Sequence, residues 1–279
     1  MPAVAGGSGF LGFTQDQIVR YSRQIILKEV GGKGQRKLLN SRVLVVGAGG
    51  LGSPVSLYLA AAGVNKLGII DGDKVDLSNL QRQILHSTED IERPKVESAK
   101  ETLTKLNPDI EVVTYNERLN PENAATVIKN WDFVVDGSDN FPTKFLVNDA
   151  CILENVPFSH GGVLRFVGMT TTILPHKGPC YRCLTPEAPP PGMIPTCQEA
   201  GVLGAVPGVI GAVQATEALK YLLEAGELLV GRVLFFDAAG MRFEEFELQQ
   251  NPNCPACGKK PLITGLSKVD YGHVCGVRF

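Results

Sequence analysis

The chain alternates short runs rich in β-branched residues with longer amphipathic runs, the pattern of a parallel sheet flanked by helices. Thr14 stands as the N-cap of a helix reaching Ile26. Val43–Val46 reads as a first strand, the apolar run Pro54–Ala62 as the helix after it, and Lys66–Asp71 as a second strand. Pro94, suited to a first helical turn, opens a helix to about Leu106 that stops near Pro108. Glu111–Tyr115, Asp132–Asp136 and Val156–Ser159 read as further strands, with helices over Pro121–Lys129 and Pro142–Glu154. After His160 the pattern changes. Val163–Leu174 and Arg232–Leu248 look like strand pairs, and Gly211–Ala225 is a strong helix. The proline-rich run between Leu184 and Cys197 is poorly suited to regular structure, and long ordered loops often carry function.

Composition narrows the classes. Of 279 residues, 44% are hydrophobic and 20% charged, enough for one large α/β domain or two small ones with a sizeable core. A net charge of −2 gives no general drive toward nucleic acid or an anionic membrane. The most apolar stretch, Val202 to Val213, is shorter than the ~18 residues a membrane span needs and is interrupted by Pro207 and glycines. The opening MPAVAGGSGFLG has neither the basic segment nor the continuous apolar segment of a signal peptide, so it reads as a flexible tail. A cytoplasmic location is the expectation.

The candidate chemistry begins at VLVVGAGGLG, which puts Gly47, Gly49 and Gly52 directly after a strand and before a helix. Glycines there permit a tight turn, and the helix N-terminus offers N–H groups to phosphate. Asp71, ending the second strand, is placed to accept hydrogen bonds from ribose hydroxyls. This much fits a nicotinamide or flavin oxidoreductase as well as an ATP enzyme. SNLQRQ (Ser78 to Gln83) supplies Asn79 and Arg82, Lys95 opens the next helix, Asp139 and Asn140 follow a strand, and Arg23 stands on the first helix. Cations for phosphoryl charge and a carboxylate for Mg²⁺ are what triphosphate chemistry needs, whereas hydride transfer needs neither. Taken singly, each of these charges could be a solvated helix start. His86, His160, His176 and His273 read as structural or surface groups, since none has a partner at catalytic spacing.

Four of the seven cysteines form two CxxC pairs, Cys180/Cys183 and, roughly seventy residues later, Cys254/Cys257. Together they can complete a closed tetrahedral four-thiolate shell, which argues for structural Zn²⁺ over redox dithiols. Cys151 lies in an apolar helix and reads as a core residue, while the tail around Cys275 suggests no role. Cys197 ends the proline-rich loop without a CxxC partner and is either a reactive thiol or a packing residue.

RYSRQIIL, GAGGLGSP, DGDKVDLSNLQRQ, RPKVESA, DGSDNFPTK, GPCYRC and CPACG, in this order, resemble the ThiF/MoeB family, relatives of the ubiquitin-activating enzymes. The resemblance covers roughly residues 14 to 260. It implies that Gly50, Asp71, Asp73, Ser78, Asn79, Arg82, Lys95, Asp139 and Asn140 bind ATP and its magnesium, with Leu80 and Gln81 in the same run. Asp139 would be the essential magnesium carboxylate, and Arg23 would reach into the other subunit of a homodimer. Cys197 would stand where some members carry an acyl or persulfide-derived link. The same four cysteines would hold zinc.

The implied reaction is adenylation of the C-terminal glycine carboxylate of a small ubiquitin-like carrier ending in Gly-Gly, in a molybdopterin, thiamine or tRNA-thiolation pathway. Some members add a C-terminal sulfur-donating domain; this chain stops about twenty residues past the second CxxC, so a separate sulfur donor is expected. The expected fold is α/β: a Rossmann-like nucleotide-binding sheet with flanking helices, continued by an antiparallel strand region and a Cys₄ zinc site. Residues 1–13 would be a tail and 14–279 one adenylation domain, with nucleotide binding in about 14–160, carrier and zinc binding in about 161–260 and a tail over 261–279. The alternatives are the oxidoreductase and a non-catalytic zinc-bearing binding module. The absence of a basic, aromatic-lined stripe argues against the latter.

Overall fold

The computed structural model describes residues 12–187 and 200–271. Its strands are β1 (Arg42–Val46), β2 (Lys66–Ile70), β3 (Glu111–Tyr115), β4 (Phe133–Asp136), β5 (Phe158–Leu164), β6 (Val167–Ile173), β7 (Arg232–Asp237) and β8 (Arg242–Glu247). They form one eight-stranded sheet in the order β3-β2-β1-β4-β5-β6-β7-β8. The first five strands run parallel, and β6 to β8 are added antiparallel. The helices are α1 (Gln15–Ile25), α2 (Gly31–Leu38), α3 (Gly52–Ala62), α4 (Lys95–Leu106), α5 (Ala124–Ile128), α6 (Phe141–Leu153), a single turn α7 (Tyr181–Leu184) and α8 (Ala205–Leu223). Among the described residues no helix is long and apolar enough to cross a membrane.

The run Val43–Val46 is buried throughout because helices cover both faces of the parallel sheet. Side chains alternate sides along a strand. Val43 and Val45 therefore enter a core with Leu59 of α3, Leu103 of α4 and Ala218 of α8. Leu44 and Val46 enter a second core with Ile128 of α5 and Val147 of α6.

Thr14 caps α1 as expected, in a capping box with Gln17. Phe13, the last residue of the expected tail, is buried beneath the Arg36 guanidinium, 5.2 Å from its ring centroid. Pro94 is the N-cap residue of α4 and does not occupy its first turn. One element was not expected, and two readings are corrected. The glycine-rich segment 31–38 forms a helix that its propensity does not announce. It is held by the buried Gln35, whose Nε2 donates to the Ala62 carbonyl (2.9 Å). The helix expected from Gly211 begins at Ala205: Pro207 sits in the first turn, where no N–H is needed, and Gly211 lets α8 close on Pro54 and the Leu51 carbonyl of α3. The strands expected on either side of Gly161 and Gly162 are one strand, β5, because Gly161 leaves room for the Gln214 side chain of α8.

Gly68 of β2 faces the indole of Trp131. A methyl group there would lie 2.3 Å from a ring carbon, with no cavity to receive it. Gly68→Ala is expected to lower unfolding free energy by roughly 1–3 kcal/mol through overpacking. Urea unfolding checks this, and parental stability would show that Trp131 can move aside.

Candidate active site

The strand order reverses between β1 and β4, so the two strands' connections diverge and open a crevice at their carboxyl ends. Gly47 follows β1 with φ +93°, a left-handed conformation, and an added Cβ would lie 3.0 Å from the Gly137 carbonyl oxygen after β4. At Gly52 a Cβ would fall 1.8 Å from the Gly47 oxygen. Gly50 lies against Pro207 at the start of α8 and against the Arg82 side chain, whereas Gly49 is more open, its nearest neighbour the Gln83 amide at 3.8 Å. The N-cap position of α3, Leu51, offers no side-chain cap, which suits the first-turn N–H groups to an anion.

Asp71 ties two loops together. Its carboxylate accepts the Ala48 N–H (2.8 Å) and the Asp73 N–H (2.8 Å). Burial pushes its pKa up, against the opposing pull of Lys95 and these two N–H groups. Asp73 receives the Lys95 ammonium at 3.4 Å and the Arg118 guanidinium at 3.0 Å. Burial would raise its carboxyl, but the two cations hold it below the usual range. Asp76 caps the Ser78–Arg82 run by accepting the Ser78 N–H (2.8 Å), while Asn79 Oδ1 accepts the Asp76 N–H (3.2 Å) and Arg82 donates to the Ser78 carbonyl (3.0 Å). Leu80 is half-buried, and the Gln81 carbonyl approaches Gly204 so closely that a Cβ there would lie 2.2 Å away.

After β4, two aspartates of one motif meet opposite environments. Asp136 is fully buried. Its Oδ1 accepts the Ser138 N–H (3.0 Å) and hydroxyl (2.5 Å), and its Oδ2 takes His160 Nδ1 (2.9 Å) and Lys144 Nζ (3.3 Å). Burial opposes ionisation, but Lys144 and His160 hold the carboxyl well below the ordinary range. Asp139, by contrast, is exposed, with Asn140 Nδ2 3.3 Å from its Oδ1. Asn140 caps α6 by accepting the Thr143 N–H (2.9 Å). His86 and His160 agree with the structural expectation. Both are buried, with pKa lowered chiefly by burial, and His86 lies under the glycine loop between Ser98 and the Ala48 carbonyl.

The carboxyl ends of β1, β2 and β4 thus gather Gly47 to Gly52, Asp71, Asp73, the Ser78–Arg82 run, Lys95, Asp139 and Asn140. Arg23 is not among them. It is exposed on α1 and lines a groove of about 330 Å³ with Tyr58 and Thr216 of α3 and α8. Cys197, His273 and Cys275 lie outside the described residues. Sequence reasoning missed Arg118, although a cation just past the third strand was a usable signal. It also missed the partnership of Asp136, Lys144 and His160, for which spacing holds no signal.

The four paired cysteines converge. Cys180 and Cys254 sulfurs are 3.6 Å apart, those of Cys183 and Cys257 3.4 Å, and all four lie within 4.8 Å of one another. Zn–S bonds of ~2.3 Å imply tetrahedral edges of about 3.8 Å, so the cluster fits a tetrahedral metal ion. The Asn251 N–H donates to the Cys183 sulfur (3.4 Å), as knuckle amides do to thiolates. Arg182 forms a bidentate pair with the buried Asp149 of α6 (2.7 and 2.6 Å), to which Tyr271 adds a hydrogen bond at 3.0 Å. Tyr271 and Leu266, in the expected C-terminal tail, belong to the second core, as does Cys151.

Residues 21–256 match the ThiF family. The SAMP-activating enzyme E1 of Haloferax volcanii is 50% identical over 94% of this chain and 96% of its own length. The sulfur carrier protein adenylyltransferase of Thermus thermophilus is 46% identical over 95% of this chain and 99% of its length. A crystal structure of E. coli MccB with ATP superposes with a TM-score of 0.73 at 25% identity, covering 85% of this chain and 74% of that one. With the motifs at the strand ends and these relatives matching nearly end to end, the chain belongs to the ThiF family.

Proposed function

We propose that the chain uses ATP to adenylate the C-terminal carboxylate of a small sulfur-carrier protein. The observation that carries this reading is an exposed carboxylate, Asp139, beside a glycine loop, with Lys95 and Arg82 gathered at the same sheet edge. The names of the Haloferax and Thermus relatives support the carrier, and the ATP-bound MccB supports the nucleotide. An α-carboxylate with pKa near ~3.5 is ionised at neutral pH and needs no general base. This accords with two histidines that are buried and already hydrogen-bonded. The carboxylate oxygen attacks the α-phosphorus, the bond to pyrophosphate breaks, and an acyl adenylate is left.

Lys95 and Arg82 offset the charge that develops on the leaving group, and Asp71 and Asp73 orient the ribose. Asp139 suits Mg²⁺, which takes one or two carboxylates together with substrate phosphates and supplies further charge neutralisation. Four converging thiols suit Zn²⁺ in a structural role, since a closed shell leaves no position for substrate. Nucleotide binding is assigned to about residues 14–160, and carrier binding and zinc to about 161–260. The carrier is expected to be ubiquitin-like and to end in Gly-Gly. Arg23, remote from Asp139 in its own chain, is assigned to the active site of a second copy in a homodimer. An oxidoreductase would leave Lys95, Arg82 and Asp139 without a role.

Asp139→Ala is expected to cut ATP–pyrophosphate exchange at least ~100-fold, matching the several kcal/mol that a metal's charge stabilisation is worth, with the fold retained. Exchange near the parental rate in the folded variant would remove the magnesium assignment. Freshly purified protein should contain one Zn²⁺ per chain, and Cys180→Ala should lower stability before it lowers exchange. Metal analysis finding none would refute the zinc centre. Mixing Arg23→Ala chains with Asp139→Ala chains should partly restore exchange, because a mixed dimer holds one intact site. No recovery, with subunit exchange verified, would return Arg23 to its own chain.

A further inference from the structure

The loop that presents Asp139 is held from below by groups that the proposed reaction does not use. Lys144, on the first turns of α6 and 8% exposed, donates to the Ser138 carbonyl (2.7 Å), the Gly161 carbonyl (2.6 Å) and Asp136 (3.3 Å). Each of its three N–H bonds therefore has an acceptor, and each lone-pair site of Asp136 has a donor. Gln214 of α8 adds a donor to the Asp136 backbone carbonyl (3.0 Å). The residue immediately before Asp139 is thus fixed through both its backbone groups, and Asn140, immediately after, is fixed as the cap of α6.

The same cluster reaches the four-cysteine centre. The His160 imidazole lies against the Tyr181 ring, centroids 4.3 Å apart, with Phe145 of α6 on Tyr181 at 5.1 Å. Tyr181 stands between Cys180 and Arg182, and its N–H donates to Asn148 Oδ1 of α6 (2.8 Å). Moving the first CxxC turn therefore moves the ring that packs His160, and with it a donor to Asp136. Asp136, His160, Tyr181, Phe145, Asn148 and Cys180 are all buried.

We infer that Lys144, Asp136 and His160 are positioning residues that fix Asp139 in its place, and that Tyr181 makes their geometry depend on the four-cysteine centre. The inference rests on Asp139 being the nucleotide's metal ligand. Partners that orient a metal ligand from behind typically change metal affinity 10–100-fold when lost.

The test compares His160→Phe, which keeps a ring against Tyr181 but loses the donor to Asp136, with Tyr181→Leu, Lys144→Gln and Lys144→Arg. Val156→Ala, in the same core, serves as a control for general destabilisation. Two readouts are taken: amide hydrogen exchange over residues 137–143 in the protein without nucleotide, and the Mg²⁺ concentration for half-maximal ATP–pyrophosphate exchange. His160→Phe and Lys144→Gln are expected to exchange the loop amides faster and to raise the half-maximal Mg²⁺ about tenfold or more. Tyr181→Leu should move both readouts the same way with zinc retained, Lys144→Arg should restore most of the parental values, and Val156→Ala should change neither. Parental loop protection and Mg²⁺ requirement in His160→Phe and Lys144→Gln would overturn the inference. Should His160→Phe not fold, the Lys144→Gln and Lys144→Arg pair decides. If the parent protein itself catalyses no exchange, the proposed function fails, and amide protection alone judges whether the cluster fixes the loop.

Discussion

The backbone after β1 and the backbone after β4 come close enough to touch, and the arrangement of the crevice depends on that approach. Side chains are excluded within the turn after β1 and where the two backbones meet. A methyl group at Gly52 would sit 1.8 Å from the Gly47 oxygen, and one at Gly137 would sit 3.1 Å from both the Gly52 nitrogen and the Val46 oxygen. Because the turn is this tight, α3 starts directly under the crevice, and Asp71 can reach from β2 to the Ala48 N–H. The packing of α8 obeys the same economy of space at Gly50 and Gly211. Glycine at 47 and 52 leaves the N–H groups of this turn unobstructed by Cβ atoms, which is what a phosphate site would require.

On this frame charge is sorted by burial. Asp136 and Asp139 belong to one short motif, yet one is surrounded by donors and the other faces solvent. A buried carboxylate whose partners are complete is locked in place, and removing one partner costs roughly 3–5 kcal/mol because the remaining charge stays buried. An exposed carboxylate is available to a ligand. Exposed pairs elsewhere, such as Lys37 with Glu224 or Lys74 with Glu92, contribute only ~0–1 kcal/mol each and shape nothing at the site. The pairing of Asp73 with Lys95 and Arg118 lies between these extremes, since Lys95 is buried while Asp73 and Arg118 stay half exposed.

The four-cysteine centre is joined to this edge by more than chain connectivity. Arg182 and Tyr271 converge on Asp149, while Asn148 accepts the Tyr181 N–H, so α6 carries both the cap residue beside Asp139 and the anchors of the first CxxC turn. One helix thus serves both sites, with its N-terminus at the crevice and its middle against the cysteines.

The sequence by itself determined the parallel sheet, the glycine turn, the order of site residues after each strand and the two CxxC pairs. These are local: a hydrophobic period, a turn that only glycine permits, or two ligands on one knuckle can be read within a few residues. Tertiary structure decided what depends on contacts far apart in the chain. The glycine-rich α2 exists because Gln35 and Leu38 are buried beneath neighbouring elements, and α8 closes on the start of α3 because Gly211 carries no Cβ to meet Pro54 and the Leu51 carbonyl. Asp136 found His160 directly opposite it on the neighbouring strand, and Arg118 reached Asp73 from just past β3. The separation of Arg23 from Asp139 was equally a matter of packing. A side chain's partner depends on which strands and helices become neighbours, and that is settled by the burial of whole faces, not by the residues adjacent in sequence.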